Sequence, residues 1–329
     1  MPGEDALTDL VAQVHDDLEE CNRTIVAHMD SPVALIPQLA AHIVAAGGKR
    51  LRPVLTLATA RMCGYGGGVR HVHLAACVEF IHTATLLHDD VVDESQLRRG
   101  LASANAVFGN QASVLVGDFL FARAFQLMVA DGSLRVLEIL SAAAATIAEG
   151  EVLQLVTQND LATSEDRYLD VVRGKTAALF AAACEVGAVI AGRPAAEQQA
   201  LRDYGMNLGI AFQLVDDALD YAADQATLGK TVGDDFREGK ITLPVLAAYA
   251  GGDAAERAFW HRTIEDSEQT DADLEQAMRL MDARGAIGIT LDRAAHFSGL
   301  AKQGLAPFPD SRLRRSLAAV ADYTVSRVR

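Results

Sequence analysis

Apolar residues recur at helical spacing along two long stretches of this chain. Over residues 76–94 and again over 203–223, apolar positions follow one another at intervals of 4, 4, 3 and 4 residues. The first series is Ala76, Phe80, Ala84, Leu87 and Val91, and the second is Tyr204, Leu208, Phe212, Val215 and Leu219. This period places apolar side chains on one helical face and does not fit the alternation of a strand. No stretch predicts a strand pair, so we expect an all-α fold.

Glycine and proline divide the sequence into helices of ordinary length joined by short loops. No low-complexity linker separates two halves, and half of the residues are hydrophobic while 22% are charged. That composition excludes a mostly disordered chain. We therefore predict one large helical domain over residues 1–329, in which the motif-bearing core spans about 47–244.

The charge balance limits the partners of this chain. Its formal net charge of −15 disfavours nucleic acid, so any bound anion needs a local basic pocket or a metal ion. The four cysteines are scattered without metal-ligand spacing, which favours reduced thiols in a cytosol. The acidic first residues do not resemble a secretory signal, and the apolar stretch 176–192 is interrupted by Glu185. We expect a cytoplasmic protein with no nucleic acid partner and no integral membrane segment.

Two aspartate clusters of the form D-D-x-x-D lie near the carboxyl ends of these apolar helices. The first consists of Asp89, Asp90 and Asp93, and the second of Asp216, Asp217 and Asp220. On a helix, Asp89 and Asp93 share a face, as do Asp216 and Asp220, and like charges at this spacing repel. A bridging cation would reverse that effect, and hard oxygen ligands of this kind suit Mg²⁺.

A solvated acidic helix face is the competing interpretation of either cluster alone. Here apolar residues flank the carboxylates on several sides, which is typical of internal helices. The same arrangement also occurs twice in one chain. We therefore predict a metal site for a diphosphate, formed by Asp89, Asp93, Asp216 and Asp220 across one cavity.

Basic residues next to glycine supply the other half of an anion site. Only five of the 29 basic residues are lysine, and four of these five lie close to glycine: Lys49, Lys175, Lys230 and Lys240. A chain so biased towards arginine that keeps lysine in loop-like contexts suggests that these sites require a compact ammonium group. Chance placement of surface lysines is the alternative.

A phosphate-binding P-loop does not explain these lysines. The glycine that such a loop requires earlier falls on Asp224 for Lys230 and on Leu169 for Lys175, and no strand precedes either segment. His82 precedes the first aspartate cluster at helical spacing. It is a candidate donor to phosphate, and a buried core histidine is the alternative.

Together these motifs resemble those of the all-trans polyprenyl diphosphate synthases. The matching segments, in the order of that family, are Lys49-Arg50-Leu51-Arg52-Pro53, the first aspartate motif, Gly174-Lys175-Thr176, Phe212-Gln213 with the second motif, and Gly229-Lys230-Thr231. Residues 80–88, FIHTATLLH, are most similar to the branch that makes octaprenyl to decaprenyl products. The resemblance implies an all-α bundle of the isoprenoid synthase type around a deep central cavity, usually as a homodimer.

The resemblance also implies roles for individual residues. Asp89, Asp93, Asp216 and Asp220 would bind two or three Mg²⁺ ions, with support from Asp90 and Asp217. The residues expected to hold isopentenyl diphosphate are Lys49, Arg52, His82 and Arg99. The residues expected to contact the allylic diphosphate, farnesyl or similar, are Arg98, Lys175, Thr176, Gln213, Lys230 and Lys240. Catalysis would depend on the six aspartates together with Lys175 and Lys230.

The implied reaction extends the allylic diphosphate by one isopentenyl unit at a time through ionisation, condensation and elimination. Thr85 and Ala84 precede Asp89 by four and five residues, roughly 6 to 7.5 Å along a helix, on the side where a growing tail would leave the metals. In the family, bulky residues here stop growth early. Because both residues are small, we expect growth past C15 and C20, and the resemblance to the long-chain branch implies a product of about C40–C50. Phe80, Ile81 and Met128 are candidates for the cavity floor.

Three alternatives remain at this stage. A shorter-chain farnesyl or geranylgeranyl synthase would share all of these motifs. A class I terpene cyclase would carry a different second metal motif and would lack the pocket of Lys49 and Arg52. A non-catalytic subunit of a heteromeric synthase would have a damaged aspartate set. The long-chain resemblance further implies supply of a quinone side chain and transient membrane contact during product release.

Overall fold

The structure is a computed structural model that describes residues 4–45, 47–98, 100–222 and 232–327. Arg99 and Lys230, two of the predicted site residues, lie outside these ranges.

The first half of the described chain is almost entirely helical. Its helices are α1 (Glu4–Gln13), α2 (His15–His28), α3 (Leu35–Ala45), α4 (Leu51–Met62), α5 (Arg70–Val92), α6 (Ala104–Phe108), α7 (Asn110–Asp131) and α8 (Leu134–Thr157). The predicted all-α fold is confirmed.

The second half continues this pattern and includes two π-helical turns, Arg173–Ala177 and His261–Glu265. Its helices are α9 (Glu165–Val172), α10 (Ala178–Ile190), α11 (Ala195–Ala222), α12 (Asp234–Arg237), α13 (Leu243–Gly251), α14 (Ala254–Trp260), α15 (Asp273–Ala283), α16 (Ala286–Gly304) and α17 (Arg312–Ser326).

A short antiparallel hairpin joins β1 (Leu97–Arg98) to β2 (Leu101–Ala102), directly after the first aspartate motif. The expectation of no strand pair was therefore wrong at this point. Strands of two residues are too short to show an alternating pattern, so the sequence could not reveal them. Gly100, at the turn, has a φ of 79° that favours glycine.

Helix α10 lies at the centre of the bundle, packed against α4, α8 and α11. Every residue of α10 except Val189 is buried, as expected for a helix that is apolar on all sides. The apolar stretch 176–192, which Glu185 interrupts, thus contains a buried helix of the core. Its neighbour α11 carries Gln213 and the second aspartate motif, and α4 carries Arg52, so α10 joins two elements of the predicted site.

Glycines allow α10 and α11 to approach closely. A Cβ atom at Gly205 of α11 would lie 2.3 Å from the backbone oxygen of Phe180 and 2.7 Å from the Cα atom of Ala181. A Cβ atom at Gly209 would lie 2.6 Å from the Cα atom of Ala177. Larger residues would force the two helices apart, which would displace the second aspartate motif at the end of α11.

The N- and C-terminal helices contact each other and the bundle. Helix α16 packs along α11, and α17 packs against α1, α11 and α16. Arg312, at the start of α17, forms an ion pair with Asp9 of α1. The single domain over residues 1–329 stays a prediction.

One described helix, α7, is long and apolar enough to cross a membrane by length and composition alone. Within its most apolar window 44% of the residues are buried inside the protein, and core helices pass the same test.

The close contact of α10 with α11 predicts that Gly205→Ala destabilises the fold. Although alanine favours a helix, its methyl group would meet backbone atoms that can move only with their whole helix. We expect the free energy of unfolding to fall by about 1–3 kcal/mol, measured by urea denaturation.

The matched control is Gly299→Ala in α16, where nothing lies within 4 Å of the added methyl group. This variant should be stabilised by about 0.5–1 kcal/mol through helix propensity alone. Equal stabilisation of both variants would show that Gly205 is not needed for the packing.

Candidate active site

The two aspartate motifs open into the same cavity, which has a volume of about 710 Å³. Asp89 and Asp93 line it from the end of α5, and Asp216 and Asp217 line it from the end of α11. The predicted approach of two remote acidic clusters is therefore present.

Most of the predicted site residues in the described part of the chain line this cavity. Besides those four aspartates they are Lys49, Arg52, His82, Thr85, Arg98, Lys175, Thr176, Gln213 and Lys240. Three predicted residues are buried and are not among its lining: Ala84, Asp90 and Asp220. Asp90 instead accepts a hydrogen bond from Arg98 at 2.9 Å, and Asp220 accepts one from the backbone of Asp235 at 3.1 Å.

The carboxylates of the first motif are balanced by two lysines from elsewhere in the chain. Lys240 Nζ lies 2.9 Å from Asp93 Oδ2, and Lys175 Nζ lies 3.7 Å from Asp89 Oδ2. Burial raises the pKa of Asp89, opposed by Lys175 and reinforced by the charge of Asp93. A pair of carboxylates held this close in a poorly solvated site requires positive charge nearby.

The sequence suggested a loop around Lys175. In the structure, Lys175 projects from the π-helical turn Arg173–Ala177. The turn packs directly on α8: a Cβ atom at Gly150 would lie only 2.4 Å from the backbone nitrogen of Lys175. On the same helix, Glu151 and Gln154 accept hydrogen bonds from Lys175 Nζ at 2.7 and 2.8 Å. Two facing glycines, Gly150 and Gly174, thus fix the ammonium group beside the first motif.

Glu151 adds a further carboxylate to the cavity wall. Burial, together with the charge of Asp89, raises the pKa of Glu151 to about 7, although Lys175 opposes the change.

For Lys240, burial and the neighbouring charges act in opposite directions on the pKa. Burial alone would lower the pKa of Lys240, but the carboxylates of Asp235 and Asp93 outweigh it and raise that pKa. Both lysines therefore remain charged.

The aspartates of the second motif have different surroundings. The side chain of Asp216 is 40% exposed and lies 3.2 Å from the guanidinium of Arg327, just after α17. Asp217 is buried, and it accepts hydrogen bonds from Tyr168 at 2.5 Å and from Gln213 at 2.7 Å. Burial and the nearby charge of Asp235 raise the pKa of Asp217 to about 7, against these hydrogen bonds.

A second group of cations lies on the α4 side of the cavity. Arg52 contacts His82 Nε2 at 3.0 Å, and its guanidinium lies 4.4 Å from the ring centre of Phe180. Lys49 Nζ lies 5.6 Å from the ring centre of Tyr323 in α17. This side combines basic and aromatic groups, whereas Lys175 and Lys240 lie beside the first motif. The cavity therefore contains two sets of cations suited to anions.

Sequence reasoning missed several residues that line this cavity, among them Glu151, Asp235 and Arg327. Asp235 belongs to an adjacent aspartate pair between Gly229 and Lys240 that could have drawn attention. Glu151 and Arg327 belong to no repeated pattern. Only the packing of α8 and α17 brings them to the site.

The donors in the cavity can be compared with those that the predicted Mg²⁺ requires. Among the described residues, no group of three or more His, Cys, Asp or Glu side chains is arranged to hold a metal ion. The available donors are nevertheless carboxylate oxygens, which Mg²⁺ prefers. Those of Asp89 and Asp93 are balanced here by ammonium groups. The site therefore has the chemistry for divalent ions.

Comparison with known proteins assigns the family. Residues 33–281 match the family model described as polyprenyl synthetase. The octaprenyl diphosphate synthase of Escherichia coli (strain K12) is 48% identical over 323 residues, which cover 98% of each chain.

Solved structures agree with this assignment. The crystal structure of a decaprenyl diphosphate synthase from Rhodobacter capsulatus superposes with a TM-score of 0.94 at 57% identity, covering 98% of this chain and 99% of that one. A polyprenyl synthase from Caulobacter crescentus CB15, complexed with calcium and isoprenyl diphosphate, has a TM-score of 0.95 at 54% identity and covers 98% of both chains. From its sequence, its helical fold and these relatives, the chain belongs to the polyprenyl synthetase family.

Proposed function

We propose that this chain is a long-chain all-trans polyprenyl diphosphate synthase. It adds isopentenyl diphosphate successively to an allylic diphosphate such as farnesyl diphosphate and makes a product of about C40–C50. The observation that carries this proposal is the cavity in which two aspartate motifs face two groups of cations. The named products of the relatives, octaprenyl and decaprenyl diphosphate, support the chain length.

In this proposal Asp89, Asp93, Asp216 and Asp220 hold two or three Mg²⁺ ions. When bound, these ions neutralise the charge that develops on the leaving diphosphate. Asp220, the last aspartate of the second motif, is buried and accepts a hydrogen bond from the backbone N–H of Asp235, so it would contribute from beneath the cavity surface. Asp90 and Asp217 orient their neighbours.

The basic residues divide between two substrates. Lys175 and Lys240, beside the first motif, orient the allylic diphosphate, with Arg98, Thr176, Gln213 and Lys230. On the α4 side Lys49, Arg52 and His82, with Arg99, hold isopentenyl diphosphate. Each diphosphate thus has cations of its own, and the double bond of one substrate is held near the reacting carbon of the other.

The chemistry needs no nucleophilic side chain. The allylic C–O bond breaks, and the diphosphate leaves with the bonding electrons. The isopentenyl double bond attacks the resulting carbocation, and loss of a proton to the released diphosphate restores an allylic product. The side chains must also exclude water, which would quench the cation.

The growing tail must leave the metal site past small side chains. Thr85 lines the cavity one turn before Asp89, while Ala84 beside it is completely buried. Neither side chain is bulky enough to act as a floor near the aspartates. We infer that growth stops further along α5 and α7, where Phe80, Ile81 and Met128 are buried.

We also propose a cytoplasmic homodimer that supplies the side chain of a quinone and contacts membranes only transiently. Exposed apolar side chains on α7 and α8 support the pairing. They include Leu115, Val129, Leu134 and Val156, which are 67% to 82% exposed in the single chain. Large exposed apolar surfaces often mark subunit interfaces, so these side chains are candidates for the interface.

The proposed activity predicts Mg²⁺-dependent incorporation of labelled isopentenyl diphosphate into C40–C50 products when farnesyl diphosphate is the starter. Asp89→Ala and Asp216→Ala should each lower the rate by at least about 100-fold. Each variant removes a ligand of the Mg²⁺ ions that neutralise the charge of the leaving diphosphate in the transition state. Incorporation of the label measures the rate, and thin-layer chromatography measures the size of the products.

The control for these variants is Asp292→Ala, a change in α16 away from the cavity, which should leave the rate unchanged. Full activity in both aspartate variants would contradict shared metal binding. Products of C15 or C20 alone would favour the shorter-chain alternative. Activity that required a separate catalytic chain would favour the subunit alternative.

The path of the tail predicts that Ala84→Phe shortens the product, because the added ring would fill the space just beyond the metal site. Thr85→Phe, at a position that lines the cavity, should act in the same direction and provides a second variant if Ala84→Phe does not fold. Thr85→Val, which keeps the volume, is the control. An unchanged distribution of products in both phenylalanine variants would refute this path.

A further inference from the structure

We propose that Tyr168 is a positioning residue for the second aspartate motif. Its hydroxyl, together with a hydrogen-bonded pair formed by Gln213 and Thr176, holds Asp217 and so sets the orientation of Asp216 and Asp220. The inference rests on the proposed function, since it assigns these two aspartates to metal binding.

Tyr168 is well placed to act in this way and belongs to none of the motifs in the sequence. It projects from α9, is 3% exposed, and packs in a core cluster with Leu214, Val215 and Leu243. Its hydroxyl donates to Asp217 Oδ2 at 2.5 Å. A rigid phenol anchored in the core thus fixes one oxygen of a carboxylate at the wall of the cavity.

The other oxygen of Asp217 is held from a different element. Gln213 Nε2, one turn earlier on α11, donates to Asp217 Oδ1 at 2.7 Å. The Gln213 carbonyl oxygen accepts from the hydroxyl of Thr176 at 2.7 Å, and Thr176 lies in the π-helical turn that carries Lys175. The network therefore joins α9, the π-helical turn and α11 at one side chain.

This arrangement gives Asp217 a different role from Asp216 and Asp220. Both of its oxygens are engaged by neutral donors and it is 3% exposed, whereas the side chain of Asp216 is 40% exposed in the cavity. Burial and the negative charges of Asp235 and Asp216 disfavour the ionised carboxylate of Asp217. Its position therefore depends on the hydrogen bonds that Tyr168 and Gln213 donate. Since Asp216 and Asp220 lie on the same turns of α11, a shift of Asp217 would move them as well.

Gln213 and Thr176 acquire a second role from the same geometry. In the structure the Thr176 hydroxyl, the Gln213 carbonyl and one Gln213 N–H are occupied within the network. Besides the contact with the allylic diphosphate proposed above, both residues therefore help to orient the second motif.

The test is calorimetric titration of inorganic diphosphate into the full chain at fixed Mg²⁺ concentrations, which requires no turnover. Tyr168→Phe removes only the hydroxyl. It should weaken Mg²⁺-dependent binding of diphosphate by about tenfold or more, as loss of a partner that orients a metal ligand does elsewhere. The KM for isopentenyl diphosphate at saturating Mg²⁺ should stay within about twofold, since Lys49 and Arg52 are untouched.

The matched control is Tyr204→Phe. Tyr204 is a buried tyrosine of α11 whose hydroxyl donates to the backbone oxygen of Leu317 at 2.9 Å, away from both motifs. It should lose a similar amount of stability and keep the Mg²⁺ dependence of the wild type. Equal weakening of diphosphate binding in both variants would reduce Tyr168 to a structural role and overturn the proposal.

A double-mutant cycle with Asp217→Asn tests whether Tyr168 acts through this carboxylate. If it does, Tyr168→Phe has little further effect in the Asp217→Asn background. Fully additive losses would overturn the proposal. If Tyr168→Phe does not fold, Asp217→Asn alone must still weaken Mg²⁺-dependent binding, and an unchanged affinity would overturn it.

The outcome for the wild type separates this proposal from the proposed function. A wild-type chain that neither binds diphosphate with Mg²⁺ nor condenses isopentenyl diphosphate would refute the proposed function. A wild-type chain that does both, beside a Tyr168→Phe variant with the same Mg²⁺ dependence, would refute only the role of Tyr168.

Discussion

Concentrated negative charge in one partly buried cavity is the constraint on which the rest of this structure depends. Burial raises the pKa values of Asp89 and Glu151, and the charge of Asp93 acts on both in the same direction. Such a site is stable only with cations nearby, and Lys175 and Lys240 provide them. In the proposed function, the same balance prepares the cavity for divalent ions and a diphosphate.

Backbone packing brings these charges together. Gly205 and Gly209 let α11 approach α10, while Gly150 and Gly174 let α8 approach the π-helical turn. The first contact places the second aspartate motif, and the other places Lys175. Tyr168 then fixes the carboxylate of Asp217 from a third direction. Small residues and buried hydrogen bonds therefore determine the geometry of the site.

The sequence predicted the helical fold and the meeting of the two aspartate motifs, because both depend on local periodicity and a repeated pattern. It could not predict residues that tertiary packing alone brings to the cavity, such as Glu151 and Arg327. Lys175 was expected in a loop because it follows glycine, but that glycine serves close helix packing inside a π-helical turn. The roles assigned to individual residues remain proposals.

The most direct test of the central claim is a crystal structure with Mn²⁺, as an anomalous scatterer in place of Mg²⁺, and an unreactive thio analogue of farnesyl diphosphate. We predict anomalous peaks between the carboxylates of Asp89 and Asp216, joined by the oxygens of a single diphosphate, with the hydrocarbon tail directed past Thr85. Metal bound at one motif only, or a diphosphate that contacts neither motif, would contradict the account.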